Sequence, residues 1–218
     1  MLFRSLDNTP LAYPLTLRFK LIAISNQFEL VDQQGQTIGF VKQPWAKIKE
    51  AVSVYQSTKM DTLLFTLKAD RILDLRAKYT IADAQGRVIG ELQRHMVKSW
   101  FKSTYSLTVA QSGLQGGFGR SSVGSQASYT ITETNPWIKV LDSLISEIPV
   151  IGAIAGYLLH PRYAVLDASG TERLEIRKRP SFFERKFDLT ALAGLEPSAE
   201  RPVVLAALMM ILLESKRG

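Results

Sequence analysis

The sequence contains no cysteine, and this absence excludes three kinds of chemistry. Without thiols the chain has no disulfide framework, no thiolate zinc site and no cysteine nucleophile. The sequence also lacks an apolar run of about 18 residues, the length that a transmembrane helix needs. Its first ten residues carry no continuous apolar stretch of signal-peptide length. We therefore expect a cytoplasmic protein without a bilayer-spanning helix.

Catalytic motifs are equally scarce. Of the two histidines, neither His95 nor His160 belongs to a His-Glu-x-x-His metal motif or lies beside a nucleophile motif. The glycine- and serine-rich stretch at 111–128 lacks the glycine spacing of a Rossmann or P-loop phosphate cradle. These absences predict a protein that is not an enzyme and that uses no metal or other cofactor.

Positive charge is in excess. The chain has 27 Lys and Arg residues against 20 Asp and Glu residues, which gives a net charge of +7 and a pI near 9.6. Such an excess favours an anionic partner, either an acidic membrane surface or nucleic acid, and it also keeps a protein soluble.

Three segments share one template, in which an aromatic residue is followed by Asp after four positions and by Gly after three more. They are Phe28–Gly35, Tyr79–Gly86 and Tyr163–Gly170. The pattern indicates β-hairpins, because Asp accepts hydrogen bonds from the turn backbone and Gly supplies the positive φ that returns the chain. The acidic ligands of a calcium-binding EF-hand loop are missing.

The last helix has no polar face. Val203–Leu213 is an unbroken run of eleven apolar residues, and its length of about 16 Å is half of a hydrocarbon core. A helix of this kind is surrounded by protein. Further strand candidates are Leu15–Ile24, Leu63–Leu67, Tyr105–Ala110 and Tyr129–Thr132. With the hairpins, these candidates make roughly ten to twelve strands. We expect a mainly β protein, a single domain over 1–218, in which a closed barrel of about twelve strands surrounds a central hydrophobic α-helix at 199–216.

Two segments depart from the β pattern. Residues 111–128 are rich in Gly and Ser and predict a flexible loop. Residues 136–160 predict a helical insertion with one extra amphipathic helix, because Asn135 is a good N-cap, Pro136 a good first helical residue, and apolar residues then recur along one face. This insertion packs over a barrel end or lies in a membrane interface.

Each hairpin is followed by a segment of basic and aromatic residues, and these three basic-aromatic segments are Lys42–Lys49, Arg94–Lys102 and Arg177–Lys186. Lysine and arginine side chains bind phosphate groups, and aromatic rings favour the membrane interface. The head-group candidates are Lys42, Lys47, Lys49, Arg94, Lys98, Lys102, Arg177, Lys178, Arg179 and Lys186. The interfacial candidates are Trp45, Trp100, Phe182 and Phe183. One such cluster alone is typical of a solvated strand edge, but the recurrence favours binding.

The chain resembles the Tubby C-terminal-like superfamily in its repeated hairpins, in the basic segments after them, in Phe187-Asp188-Leu189 and in its apolar C-terminal helix. Within that superfamily it is most similar to the LURP-one-related and phospholipid-scramblase-like branch, from Tyr13 to Gly218. The resemblance implies a twelve-stranded barrel around a central hydrophobic helix. It also implies lipid recognition, since Tubby domains bind phosphoinositides through a basic patch and scramblases are associated with calcium-dependent lipid transfer.

These patterns predict a non-enzymatic module that binds anionic phospholipid or phosphoinositide head groups, in a cytoplasmic protein that is peripheral at the inner face of the membrane. The alternative is a structural or protein-interaction scaffold of the LURP-one-related type, with a partner bound through 137–159. Scramblase-like lipid transfer is a further alternative. Nucleic-acid binding comes last, on the ground that basic strands with aromatic residues also suit single-stranded chains.

Overall fold

A computed structural model describes residues 5–7, 10–21, 25–44, 50–70, 78–96, 103–110, 127–134, 162–179 and 185–214. These residues contain twelve β-strands and one α-helix. The strands are β1 (Leu15–Leu21), β2 (Ser25–Val31), β3 (Thr37–Pro44), β4 (Ala51–Tyr55), β5 (Leu63–Ala69), β6 (Lys78–Asp83), β7 (Val88–Met96), β8 (Ser103–Val109), β9 (Ala127–Glu133), β10 (Arg162–Leu166), β11 (Glu172–Arg179) and β12 (Arg185–Ala191). The helix is α1 (Pro197–Glu214).

The strands form one closed antiparallel barrel. Each strand pairs with the next along the chain, and β1 pairs with β12 to close the sheet, with Leu15 opposite Leu189. Closure leaves no sheet edge for pairing with another chain. The prediction of a closed barrel of about twelve strands is confirmed.

Alternation of side chains along the strands directs one face of the sheet inward. In β4, for example, Val52 and Val54 are buried while Ser53 between them is partly exposed. The inward residues join those of α1 in one hydrophobic core. The period of two in each strand therefore decides which side chains line the interior.

The interior of the barrel holds α1. Every residue from Val203 to Leu213 is at most 6% exposed, as expected for a helix without a polar face. The helix begins at Pro197, two residues before the predicted start, where proline suits the first helical position. The carbonyl of Glu196 accepts the N–H groups of Ala199 and Glu200 at 2.9 and 3.1 Å. The predicted end at residue 216 lies outside the described residues.

Gly90 lets β7 pass close to the helix. A Cβ atom at this position would lie 3.1 Å from the carbonyl oxygen of Thr108 and 3.4 Å from Cβ of Pro202 in α1. Pro202 is buried inside the helix. The missing side chain therefore makes room for the proline ring against the sheet.

The two ends of the barrel differ. The three predicted Asp-Gly turns join β2 to β3, β6 to β7 and β10 to β11, and an antiparallel order places them at one end, here called the hairpin end. The other end, here called the distal end, receives the connections that leave odd-numbered strands. The helix α1 follows β12 and so begins at the hairpin end and finishes at the distal end.

The N-terminal segment attaches to the hairpin end. The N–H of Leu6 donates to the carbonyl of Ile38 in β3 at 2.9 Å. Arg201 Nε in the first half of α1 donates to the carbonyl of Leu6 at 2.8 Å. Leu6 is fully buried, so this segment links the wall of the barrel to its central helix.

Two predicted segments lie mostly or wholly outside the described residues. β9 begins at Ala127, so the last two residues of the predicted loop at 111–128 belong to a strand, and 111–126 are not described. The predicted helical insertion at 136–160 also lies outside them. Within the described part of the chain, no helix has both the length and the apolar character needed to cross a membrane.

Candidate functional site

The strand ends that flank the three basic-aromatic segments lie at the same end of the barrel. The first segment connects β3 to β4, the second β7 to β8 and the third β11 to β12. All three connections leave odd-numbered strands, so the strand ends that flank them lie at the distal end. Segments that are far apart in the sequence therefore start and finish on one rim.

The structure describes six of the fourteen predicted site residues, namely Lys42, Arg94, Arg177, Lys178, Arg179 and Lys186. The other eight lie outside the described residues and are Lys47, Lys49, Lys98, Lys102, Trp45, Trp100, Phe182 and Phe183. The six described residues do not share one surface. Three face outward on neighbouring strands, one stands apart on β3, and two face inward.

Arg177, Arg179 and Lys186 form an outward-facing group on β11 and β12. Arg179 lies directly opposite Lys186 in the strand pairing. Arg177 pairs with Glu175 at 2.9 Å, and Arg179 pairs with Asp188. The two arginine side chains nevertheless remain 64% and 53% exposed. Exposed ion pairs of this kind are weak, so both arginines stay available to an anion in solvent.

Lys42 is exposed on the outer face of β3. It lies opposite Gln27 of β2 in the strand pairing. Its position two residues before the end of the strand places its charge near the distal end.

Arg94 points into the barrel. It follows the fully buried Leu92 by two residues on the same face of β7. Its guanidinium donates to Oε1 of Glu214 at 3.1 Å, and the hydroxyl of Tyr105 donates to the same oxygen at 2.6 Å. The guanidinium also lies 5.8 Å from the centre of the Tyr105 ring. Arg94 thus binds the end of the central helix, with only 14% of its side chain exposed.

Glu214 needs these contacts because of where it lies. It is the last residue of α1, and a carboxylate at a helix C-terminus is disfavoured by the helix dipole. A cation and a hydroxyl donor offset that effect. The cluster of Arg94, Tyr105 and Glu214 therefore fixes the helix to β7 and β8 at the distal end.

A further tyrosine lies in the same region. Burial, and then the negative charges of Glu133 and Glu214, raise the pKa of the Tyr163 hydroxyl. A tyrosine of ordinary pKa is already neutral at physiological pH, so the raised pKa keeps the Tyr163 hydroxyl a hydrogen-bond donor in more alkaline solution as well. The interior of the distal end thus contains neutral tyrosine hydroxyls beside the charged pair of Arg94 and Glu214.

Lys178 and Arg185 form an inward-facing pair of cations. Lys178 lies opposite the buried Phe187, and Arg185 lies opposite the buried Phe19, so both share the inner face. Burial, and then the charge of Arg185, lower the pKa of Lys178. Among the described residues, no carboxylate forms an ion pair with either side chain.

Lys178 is one of the head-group candidates predicted from the sequence, whereas Arg185 is not among them. The alternation of side chains along β12 indicates the inward direction of Arg185. Phe187 and Leu189 are the inward residues of that strand, and Arg185 precedes them at the same spacing of two. Alternation alone therefore places Arg185 on the inner face.

The hairpin end contains a separate cavity of about 330 Å³ beside the start of α1. Its lining includes the charged residues Asp7, Asp83, Arg87 and Arg201. Arg87 pairs with Asp83 at 2.6 Å, and Arg201 is bonded to the backbone of Leu6. The charges in this cavity are mixed, and those of Asp83, Arg87 and Arg201 contact one another or the backbone.

The described residues include no group of three or more His, Asp or Glu side chains arranged to hold a metal ion. The chain matches no protein-family model and no curated protein sequence. Its resemblance to the Tubby C-terminal-like superfamily therefore stays a prediction from the sequence.

Proposed function

We propose that this protein is a non-enzymatic module that binds anionic phospholipid head groups at the cytoplasmic membrane face and docks with its distal end. The observation that supports the proposal is that the strand ends flanking the three basic-aromatic segments lie together at the distal end of the barrel. A surface that gathers cations at one end presents them together to a flat anionic layer.

The charges are sufficient for measurable attachment. Near an acidic leaflet each Lys or Arg contributes about 1 kcal/mol, so a few of them acting together retain a peripheral protein. Described cations close to the distal end include Lys42, Lys178, Arg179, Arg185 and Lys186. The predicted resemblance to lipid-binding Tubby domains supports the same function.

Vesicle co-sedimentation tests the proposal. The wild-type protein is expected to bind phosphatidylcholine vesicles that contain phosphatidylserine, and to dissociate as added salt shortens the Debye length. Changing Lys47, Lys49, Lys98 and Lys102 together to glutamate is expected to abolish binding at low salt and leave the melting curve cooperative.

A matched pair of variants distinguishes the effect of a lysine's position on vesicle binding from the effect of the protein's net charge. Lys42 near the distal end and Lys59 in the turn between β4 and β5 are both exposed lysines. Lys42→Glu is expected to weaken binding more than Lys59→Glu, although the two changes alter the net charge equally. Equal weakening would show that binding depends on total charge alone. A wild-type protein that ignores anionic vesicles at low salt would remove the proposal and favour the scaffold.

A further inference from the structure

Two like charges that face the interior without a described acidic partner are unusual in a folded barrel. Their repulsion and partial desolvation destabilise the folded protein. Arg94 and Arg179, by contrast, each have a carboxylate partner, Glu214 and Asp188 respectively. Lys178 and Arg185 differ in this respect. A destabilising cation pair in a mouth is typical of a site for an anion.

The strand pairing sets the distance between the two cations. Lys178 lies opposite Phe187, and Arg185 precedes Phe187 by two residues on the same face. Such diagonal neighbours are about 7–8 Å apart, within reach of long side chains. An anion between them therefore accepts hydrogen bonds from both the Lys178 ammonium and the Arg185 guanidinium.

Aromatic side chains form the surroundings of the pair. Phe187 is 8% exposed, and Phe19, opposite Arg185, is 1% exposed. The centre of the Phe28 ring lies 4.2 Å from the centre of the Phe19 ring. Apolar walls lower the local dielectric constant and strengthen the attraction between the cations and a bound anion.

We propose that Lys178 and Arg185 form a subsite for a phosphomonoester group at the distal mouth of the barrel, an inference that rests on the proposed membrane function for its lipid source. A phosphomonoester carries about 1.5 to 2 negative charges and three acceptor oxygens at neutral pH. A phosphodiester carries one charge. The monoester compensates both cations, so the pair selects it over the diester.

Vesicles of two compositions test this selection. One contains phosphatidic acid, a monoester, and the other contains phosphatidylglycerol, a diester, with mole fractions adjusted to equal zeta potential. The wild-type protein is expected to bind the first about tenfold more tightly, which corresponds to one additional hydrogen bond to a charged group. Lys178→Gln and Arg185→Gln are expected to lose this preference.

Arg177→Gln is the matched control, because Arg177 is on the same strand as Lys178 but faces outward. It is expected to weaken binding to both vesicles and to keep the preference. The variant Lys178→Gln also has a readout without lipid. Its melting temperature in chloride is expected to equal or exceed that of the wild type, because one of two repelling charges is gone. A lower melting temperature would contradict the repulsion on which the inference depends.

Inorganic phosphate distinguishes a lipid source from a soluble one. At constant ionic strength, phosphate is expected to raise the melting temperature of the wild type and Arg177→Gln but not of Lys178→Gln. Stabilisation by phosphate without a vesicle preference supports the subsite and assigns it to a soluble phosphate compound. Equal binding to both vesicles together with no stabilisation by phosphate overturns the subsite and leaves membrane docking intact. Stabilisation by phosphate without any vesicle binding supports the subsite and overturns the membrane function.

Discussion

Single aspartates organise the turns at the hairpin end. In each turn one Oδ1 atom accepts the backbone N–H groups of the residues two and four positions later. The aspartates are Asp32, Asp83 and Asp167. These contacts were predictable from the sequence, because every partner lies within four residues of the carboxylate.

Asp167 makes the stability of the protein depend on pH. The Ser169 hydroxyl, together with Arg173 and the turn N–H groups, holds the pKa of Asp167 well below its usual value. A carboxylate of lowered pKa stabilises the fold fully above its unfolded pKa of about 4, and this stabilisation is lost as the pH falls. The wild-type melting temperature is expected to fall below that pH, and Asp167→Asn is expected to fall less. Parallel curves for the two proteins would contradict the assignment.

The glycines of the same turns have one conformational function. Gly86 has a φ of +78°, and no heavy atom lies within 4 Å of the position that a Cβ would take. Gly86→Ala therefore meets no steric contact and is expected to lower the free energy of unfolding by about 1–2 kcal/mol through backbone strain alone. Urea denaturation measures the change, with Ala84→Gly in the same turn as the comparison. An unchanged midpoint for Gly86→Ala would show that the turn relaxes.

The partner of Arg94 could not be predicted from the sequence. Its basic-aromatic segment predicted a head-group ligand, but the structure pairs it with Glu214, which is 120 residues away. No local pattern reports a contact of that separation. The inward direction of the side chain follows only from knowing that Leu92 faces the core.

Among the elements, α1 was the most predictable. Its run of apolar residues leaves no polar face for solvent, so the sequence alone predicted a helix surrounded by other parts of the protein. The barrel surrounds the helix, and Leu208 in the middle of the helix is 2% exposed. The alternating hydrophobic pattern of the strands was sufficient to predict that the rest of the protein is a β-barrel.

Leu208→Asp is expected to prevent folding, because it buries an unpaired charge at a cost of several kcal/mol. Leu192→Asp, at a position that is 37% exposed after β12, is the control and is expected to fold. Circular dichroism and thermal melting distinguish the two. A soluble Leu208→Asp protein with an unchanged cooperative melt would exclude an enclosed helix.

A second prediction concerns the ion pair between Glu214 at the end of α1 and Arg94 of β7. A double-mutant cycle with Arg94→Gln and Glu214→Gln is expected to give a coupling energy of about 1 kcal/mol, because the pair is partly buried and hydrogen-bonded. The cycle is measured by urea denaturation of the four proteins. Additive effects of the two changes would show that the ion pair does not hold the helix end.

At the scale of the whole molecule, closure of the barrel joins β1 and β12 across almost the entire chain. Thr16 Oγ1 donates to Asp188 Oδ1 at 3.1 Å across this junction. Local patterns in the sequence predicted roughly ten to twelve strands, and the resemblance to the Tubby C-terminal-like superfamily implied twelve. It contained no local signal for the partner of β1, because the pairing residues are 172 positions apart.

The Gly- and Ser-rich segment is expected to be dispensable for folding. Val109 and Ala127 lie directly opposite each other in β8 and β9, so a short turn can connect the two strands. Replacing residues 111–126 with a short Gly-Ser turn is expected to change the melting temperature little, since loop closure depends weakly on length. A large fall would show that the segment packs on the barrel.

Docking by the distal end is tested most directly by comparing the two ends of one molecule on a membrane. The absence of native cysteine allows a single environment-sensitive fluorophore to be attached at Lys42→Cys near the distal end or at Lys59→Cys at the hairpin end. On addition of anionic vesicles, the emission of the Lys42→Cys probe is expected to increase and shift to the blue while that of the Lys59→Cys probe stays unchanged. A shift at Lys59→Cys with none at Lys42→Cys would contradict docking by the distal end.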